Sequence, residues 1–233
     1  MMTYLLFMVP PLLLALWAQW RVKAAYHQAS QVPAQSGLTG AEAARMLLES
    51  YGIRNVAIEP THGMLSDHYD PRHKVLRLSH DVYAGRSVAA LGIASHEAGH
   101  AIQDATHYGP LKFRNGIVPL AAVGSQFGVM LVFIGAIAMG AAPFLGKWML
   151  IAGIALFSTV VLFQLINLPV EYDASRRAKD LMQSSGLVRQ GGEASAMNRV
   201  LNAAALTYVA ATLTAILTLL YYVLRSGLLS DRR

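Results

Sequence analysis

Four long apolar segments punctuate the chain, at residues 3–20, 117 to about 144, 148–168 and 203–224. Each reaches the roughly 18–20 residues that a helix needs to cross the hydrocarbon core of a bilayer, so the pattern predicts four transmembrane helices. Pro10-Pro11 interrupts the first and predicts a kink there. A cleaved leader would carry basic residues ahead of its apolar run; here Arg21 and Lys23 follow it, which favours a retained anchor. The short Gly146-Lys147 junction predicts that the second and third segments form an antiparallel hairpin. Gly135, Gly140 and Gly153 are small enough to let such helices approach closely.

Two polar stretches, 21–116 and 169–202, separate these spans. In the first, Thr39 and Glu42 form a capping box. Leu47, Leu48 and Tyr51 follow on one face and Gly52 comes after, which together predict a helix over 39–50. Residues 55–59 and 74–79 read as short strands, with Leu76 and Leu78 alternating against Arg77. Residues 87–105 read as a second helix. The expected fold is therefore a mainly α membrane protein with a small α+β domain. Its segments are a first span (3–20), a catalytic domain (21–116), a hairpin of two spans (117–168), a polar segment (169–202) and a fourth span (203–224).

Composition agrees with lipid as part of the solvent. The 233 residues are 55% hydrophobic and 14% charged, with mean hydropathy +0.40, whereas soluble domains carry about 25% charged residues. The net charge of +6 is not gathered into a basic run with interleaved aromatics, so nucleic acid is not an expected partner. Ten of the 19 Lys and Arg residues lie in 21–116 and five in 169–202. The positive-inside rule then places both polar stretches in the cytoplasm. Cysteine is absent, which excludes disulfides, thiolate catalysis and cysteine-bound metal.

The chemistry lies in the second predicted helix, at His96-Glu97-Ala98-Gly99-His100. Residues four apart on a helix project from one face, so both imidazoles can reach a single metal ion. Glu97 sits on the adjacent flank, placed to accept a proton from an attacking water. Leu91, Ala94, Ala98 and Ile102 fall on the opposite side and are expected to be buried. The chemistry of these ligands points to Zn2+.

A catalytic zinc needs a third protein ligand. No other histidine follows His100 at a metzincin spacing, and Glu171, just past the third span, meets the need. Crossing the membrane twice returns the chain to the side it left, so topology and ligation agree. Tyr208, Arg176 and His107 are candidate donors to a developing oxyanion. His68 and Asp70, beside Pro71, could bind a second metal, but an exposed turn is the favoured reading.

The HEAGH helix, the following hairpin and LPVEYDASRRA together resemble the neutral zinc metallopeptidase family of bacterial membrane proteins (YugP-like). DHYDPRHKVLRLSHDVYAGRSVAALGIASHEAGHAIQ and VLNAAALTYVAA resemble it too, so the likeness covers most of 60–224. More distantly the chain is similar to membrane gluzincins of the HtpX kind. The resemblance implies a zincin-like catalytic domain, His96, His100 and Glu171 as zinc ligands, and Glu97 as general base. It also implies a place in the bacterial inner membrane and cleavage of protein or peptide substrates at or near the bilayer. One position departs from the gluzincin pattern. Four residues after the ligand glutamate, where many carry Asp, stands Ser175, so a carboxylate supporting a zinc-bound histidine must come from elsewhere, with Asp173 and Asp104 as candidates. A zinc-containing scaffold without activity and a zinc sensor or transporter are the alternatives. Retention of Glu97 argues against the first, and the absence of ionisable residues from the cores of the second to fourth spans argues against the second.

Overall fold

A computed structural model describes residues 2–227. The elements are α1 (Met2–Ser30), α2 (Gly40–Ser50), β1 (Ala57–Thr61), β2 (His68–Asp70), β3 (Val75–Ser79), α3 (His80–Tyr83) and α4 (Val88–Ala105). They are followed by α5 (Gly109–Val123), a π-helical turn (Gly124–Gly128), α6 (Val129–Ala138), α7 (Pro143–Ser184) and α8 (Gly192–Arg225). The chain forms two compact units. An apolar unit holds the start of α1, residues 113–168 and the chain from Tyr208 onward; the second holds 18–112 and 169–207. α7 therefore contributes its first part to one unit and its last part to the other.

The second unit is built around α4. Ser87 caps this helix by accepting from the Ala90 amide at 3.2 Å. Leu91, Ala94, Ala98 and Ile102 are fully buried, as the helical period requires. α2 packs beside it. Thr39 Oγ1 accepts from the Glu42 amide at 3.2 Å and the Thr39 amide donates to Glu42 Oε2 at 2.7 Å, completing the expected capping box. Gly40 starts this helix because a Cβ there would lie 2.2 Å from the Val82 carbonyl oxygen.

The sheet has the order β1-β3-β2, with β1 parallel and β2 antiparallel to β3. The strand expected at 55–59 is shifted to Ala57–Thr61, and the one expected at 74–79 is β3. β3 is the middle strand, with Val75, Leu76, Leu78 and Ser79 all buried. Its backbone is hydrogen-bonded on both sides, so β1 and β2 form the edges.

Among the described residues, three helices are long and apolar enough to cross a membrane: Gly109–Ala138, Pro143–Ser184 and Gly192–Arg225. The first apolar segment is helical as well, α1 running on through Pro10 and Pro11, but it is not among those three. The hairpin turns earlier than expected, at 139–142, and Gly146-Lys147 lies inside α7. Pro143 opens α7 at the position where a missing amide proton costs nothing. Gly146 then packs against the end of α6, where a Cβ would sit 2.6 Å from the Met139 nitrogen. Further along, Gly153 meets Val132 equally closely, with 2.7 Å from a Cβ to the backbone nitrogen. Pro169 does not stop the helix, which continues to Ser184.

Candidate metal centre

α4 carries His96 and His100 one turn apart, their rings edge to face with centroids 4.8 Å apart. The last part of α7 brings Glu171 to the same point. Its Oε2 lies 3.3 Å from His96 Nε2 and 3.5 Å from His100 Nε2. One donor atom from each residue lies within 4.8 Å of the others, so His96, His100 and Glu171 could hold a metal ion. The glycine of HEAGH makes this meeting possible. A Cβ on Gly99 would stand 2.8 Å from the Ala174 carbonyl oxygen, so the two helices touch backbone to backbone there.

Each imidazole spends its other nitrogen on the protein. His100 Nδ1 lies 3.0 Å from Gln103 Oε1, and His96 Nδ1 lies 3.1 Å from Ser175 Oγ. Both rings thus turn Nε2 toward Glu171. Burial disfavours the charge on Glu171, but the hydrogen bonds and charge of His100 and His96 outweigh it and hold this carboxyl well below the usual range. Burial likewise opposes a proton on His100, and the Glu171 carboxylate prevails and raises its basicity. Groups that compete this strongly for protons are suited to a divalent cation that replaces them. Two imidazole nitrogens and one carboxylate oxygen form a three-ligand set that fits zinc with a coordination position to spare.

The positions expected to support the site separate. Ser175, standing where many gluzincins carry Asp, touches His96 directly. Asp173 reaches His100 through Gln103, whose Nε2 donates to Asp173 Oδ2 at 3.0 Å and to the Val170 carbonyl at 2.8 Å. Asp104 is engaged elsewhere, by the Tyr69 hydroxyl at 2.7 Å and Lys74 Nζ at 2.5 Å. Gln103 itself went unread in the sequence. The available signal was an amide three residues after His100, on the same face of the helix.

Glu97 follows His96 on α4, half-buried, and its charge adds to the raised basicity of His100. Of the candidate oxyanion donors, Arg176 is held by Asp173 and by Asp180. His107 lies in the turn after α4 with φ +53°, and Tyr208 belongs to the apolar unit, on α8. His68 and Asp70, expected in an exposed turn, instead form the two ends of the edge strand β2. Asp70, at the end of β2, accepts from His73 Nδ1 at 2.7 Å and from Arg77 Nη1 of β3 at 3.0 Å.

Comparison with known proteins agrees with this centre. Residues 4–227 match the family described as "Putative neutral zinc metallopeptidase". The chain is 45% identical over 223 residues to the "Putative membrane protease YugP" of Bacillus subtilis (strain 168), covering 96% of each protein. No solved structure matches. The chain therefore belongs to this family of neutral zinc metallopeptidases, and zinc is its cofactor.

Proposed function

We propose that the chain is a multi-pass membrane endopeptidase of the gluzincin type, in which His96, His100 and Glu171 hold the zinc and Glu97 is the general base. The observation that carries this reading is the convergence of two Nε2 atoms and one carboxylate oxygen beside a half-buried glutamate on the same helix. Zinc at this point supplies a Lewis acid for the scissile carbonyl. Glu97 accepts the proton of the attacking water and delivers it to the departing amine, a role that needs a carboxylate near the metal but outside its ligand set. Arg176 is already held by two carboxylates, which leaves His107 as the candidate within the site-bearing unit for stabilising the oxyanion.

Strand 74–79, expected to pair with an extended substrate backbone, is bonded on both sides as β3 and has no free edge, so that pairing falls to an edge strand. β2 is the edge strand linked to the zinc helix, through Tyr69 and Asp104, and main-chain pairing there gives affinity with little sequence selectivity. The apolar helices, joined by α1 as a fourth span, anchor the enzyme in the bacterial inner membrane. The site-bearing unit then faces the cytoplasm, where membrane-associated proteins are its substrates.

The test is cleavage of a quenched fluorescent casein by the detergent-purified chain and its Glu97→Gln variant, with zinc measured in both. The expected result is a loss of about 10²–10⁴-fold in rate with zinc retained. Equal cleavage by both proteins would remove Glu97 from the mechanism.

A further inference from the structure

We infer that Gln103 is the positioning residue of this centre. Its side-chain amide dictates which nitrogen of His100 faces Glu171 and sets the two ligands relative to each other. The inference rests on the reading of His96, His100 and Glu171 as the zinc ligands.

A primary amide has one accepting end and one donating end. Gln103 is fully buried, so both ends must find partners inside the protein. Its nitrogen lies 2.8 Å from the Val170 carbonyl and 3.0 Å from Asp173 Oδ2, two groups that can only accept. Asp173 is itself fastened by Arg177 Nε at 2.6 Å and by Arg176. The donating end is therefore committed to α7, and the amide cannot turn over. That leaves Oε1, an acceptor only, at 3.0 Å from His100 Nδ1. The Nδ1 of His100 must then carry the hydrogen, and in the neutral ring Nε2 keeps the lone pair that faces Glu171.

The two anchor points on α7 bracket the third ligand: Val170 precedes Glu171 and Asp173 stands two residues after it. One side chain thus orients a histidine on α4 and pins the stretch of α7 that carries the carboxylate. His96 has no such device. Its partner, the Ser175 hydroxyl, can donate or accept equally well and so leaves the tautomer open. The role often filled by a carboxylate on a zinc-bound histidine is here relayed through an amide, from Asp173 to His100.

The experiment separates the two ends of the amide. Gln103→Met removes both, while Gln103→Glu keeps an acceptor for His100 and loses the donor toward Val170 and Asp173. Zinc affinity is read by competition with a chromophoric chelator on the full detergent-purified chain, and the melting temperature of each zinc-free variant is read alongside. The expected outcome is a fall in affinity of about 10- to 100-fold for Gln103→Met. Gln103→Glu should lose less affinity than Gln103→Met, because His100 keeps its acceptor while the tie to α7 is gone, and its zinc-free form should melt lower than wild type. A purely structural role predicts that affinity follows melting temperature in both, and that result overturns the inference, as does unchanged affinity in Gln103→Met.

Should Gln103→Met fail to fold, the wild type decides. In zinc-loaded protein labelled with ¹⁵N-histidine, His100 is expected to carry its proton on Nδ1; a proton on Nε2 overturns the inference. A wild type that binds no zinc overturns the proposed function along with it. Tight zinc binding with an indifferent Gln103→Met overturns this inference alone.

Discussion

The two units solve the same problem, holding helices together, by opposite means. In the site-bearing unit the large apolar side chains point inward: Leu91 and Ile102 on α4 are 0% exposed. In the apolar unit they point outward, Phe144 being 81% and Ile137 66% exposed. Where water is the solvent, burying apolar surface drives packing. Where lipid is the solvent that drive vanishes, and close backbone contact takes its place, as where Gly153 lies against Val132. The charges divide likewise. Twelve of the 13 Asp and Glu residues lie in the site-bearing unit, and among the described residues the apolar unit has none. Gly99 is instructive because it brings the lipid-type device, backbone against backbone, into the water-type unit, and does so at the metal centre.

That exception gives the largest expected effect. Gly99→Leu puts a branched side chain where even a Cβ would stand 2.8 Å from the Ala174 carbonyl oxygen. Backbone cannot yield as a flexible side chain can, so α7 must move away and carry Glu171 from the histidines. We expect loss of measurable zinc binding and of peptidase activity, with the apolar helices still inserted. Zinc content after detergent purification checks this, and normal zinc loading would show that the helix contact does not set the ligand spacing.

Next comes the contrast in burial. Leu91→Ala is expected to cost about 2–5 kcal/mol of stability, the range for emptying a fully buried leucine position. Phe144→Ala removes a larger side chain and should change stability by less than about 0.5 kcal/mol, because a surface position leaves no cavity. Denaturant titration of both variants in the same detergent reads the difference. Similar losses would mean that the exposed face of the apolar unit is packed against protein and not lipid.

Much of the site-bearing unit was legible because its signals are local. A hydroxyl at an N-cap with glutamate three residues on, or two histidines four apart, announces itself within one helical turn. The capping box of α2 and the HEAGH face of α4 both form as their spacing requires. What escaped notice depends on partners distant in sequence. β2 is three residues long with one apolar side chain, and only its pairing with β3 makes it a strand. Pro169 removes one helical hydrogen bond, yet burial of Val170, Ala174 and Ala178 carries α7 onward through it. Gln103 acquires its role only from Val170 and Asp173, which lie 67 and 70 residues further along the chain.

A smaller effect tests a local signal directly. Thr39→Ala deletes one arm of the capping box and should cost about 0.5–2 kcal/mol, with zinc affinity unchanged, since the cap supports α2 and not the ligands. Thermal melting of the zinc-free and zinc-loaded variant measures both. Weakened zinc binding would mean that the start of α2 is coupled to the centre.

The smallest effect concerns acid, and it follows from the division of charge. Asp70 is held well below the usual carboxylate range, first by its hydrogen bond from His73 and then by that from Arg77, which tie β2 to β3. A carboxyl with a lowered folded value stabilises the fold fully above its ordinary value of 3.8, and that contribution is lost as pH falls through the lowered one. In that window the unfolded chain takes up the proton first, so stability rises with pH. Asp70→Asn should therefore be slightly less stable than wild type near neutrality and show a shallower acid limb, the two curves converging at low pH. The apolar unit has no described carboxylate to protonate, so its helices should outlast the site-bearing unit as acid is added. Pepsin cleavage at stepped acid pH, with fragments identified by mass, reads this order. Early cuts should fall within 18–112 and 169–207, and early cuts in 113–168 would show that the two units do not divide acid sensitivity as they divide charge.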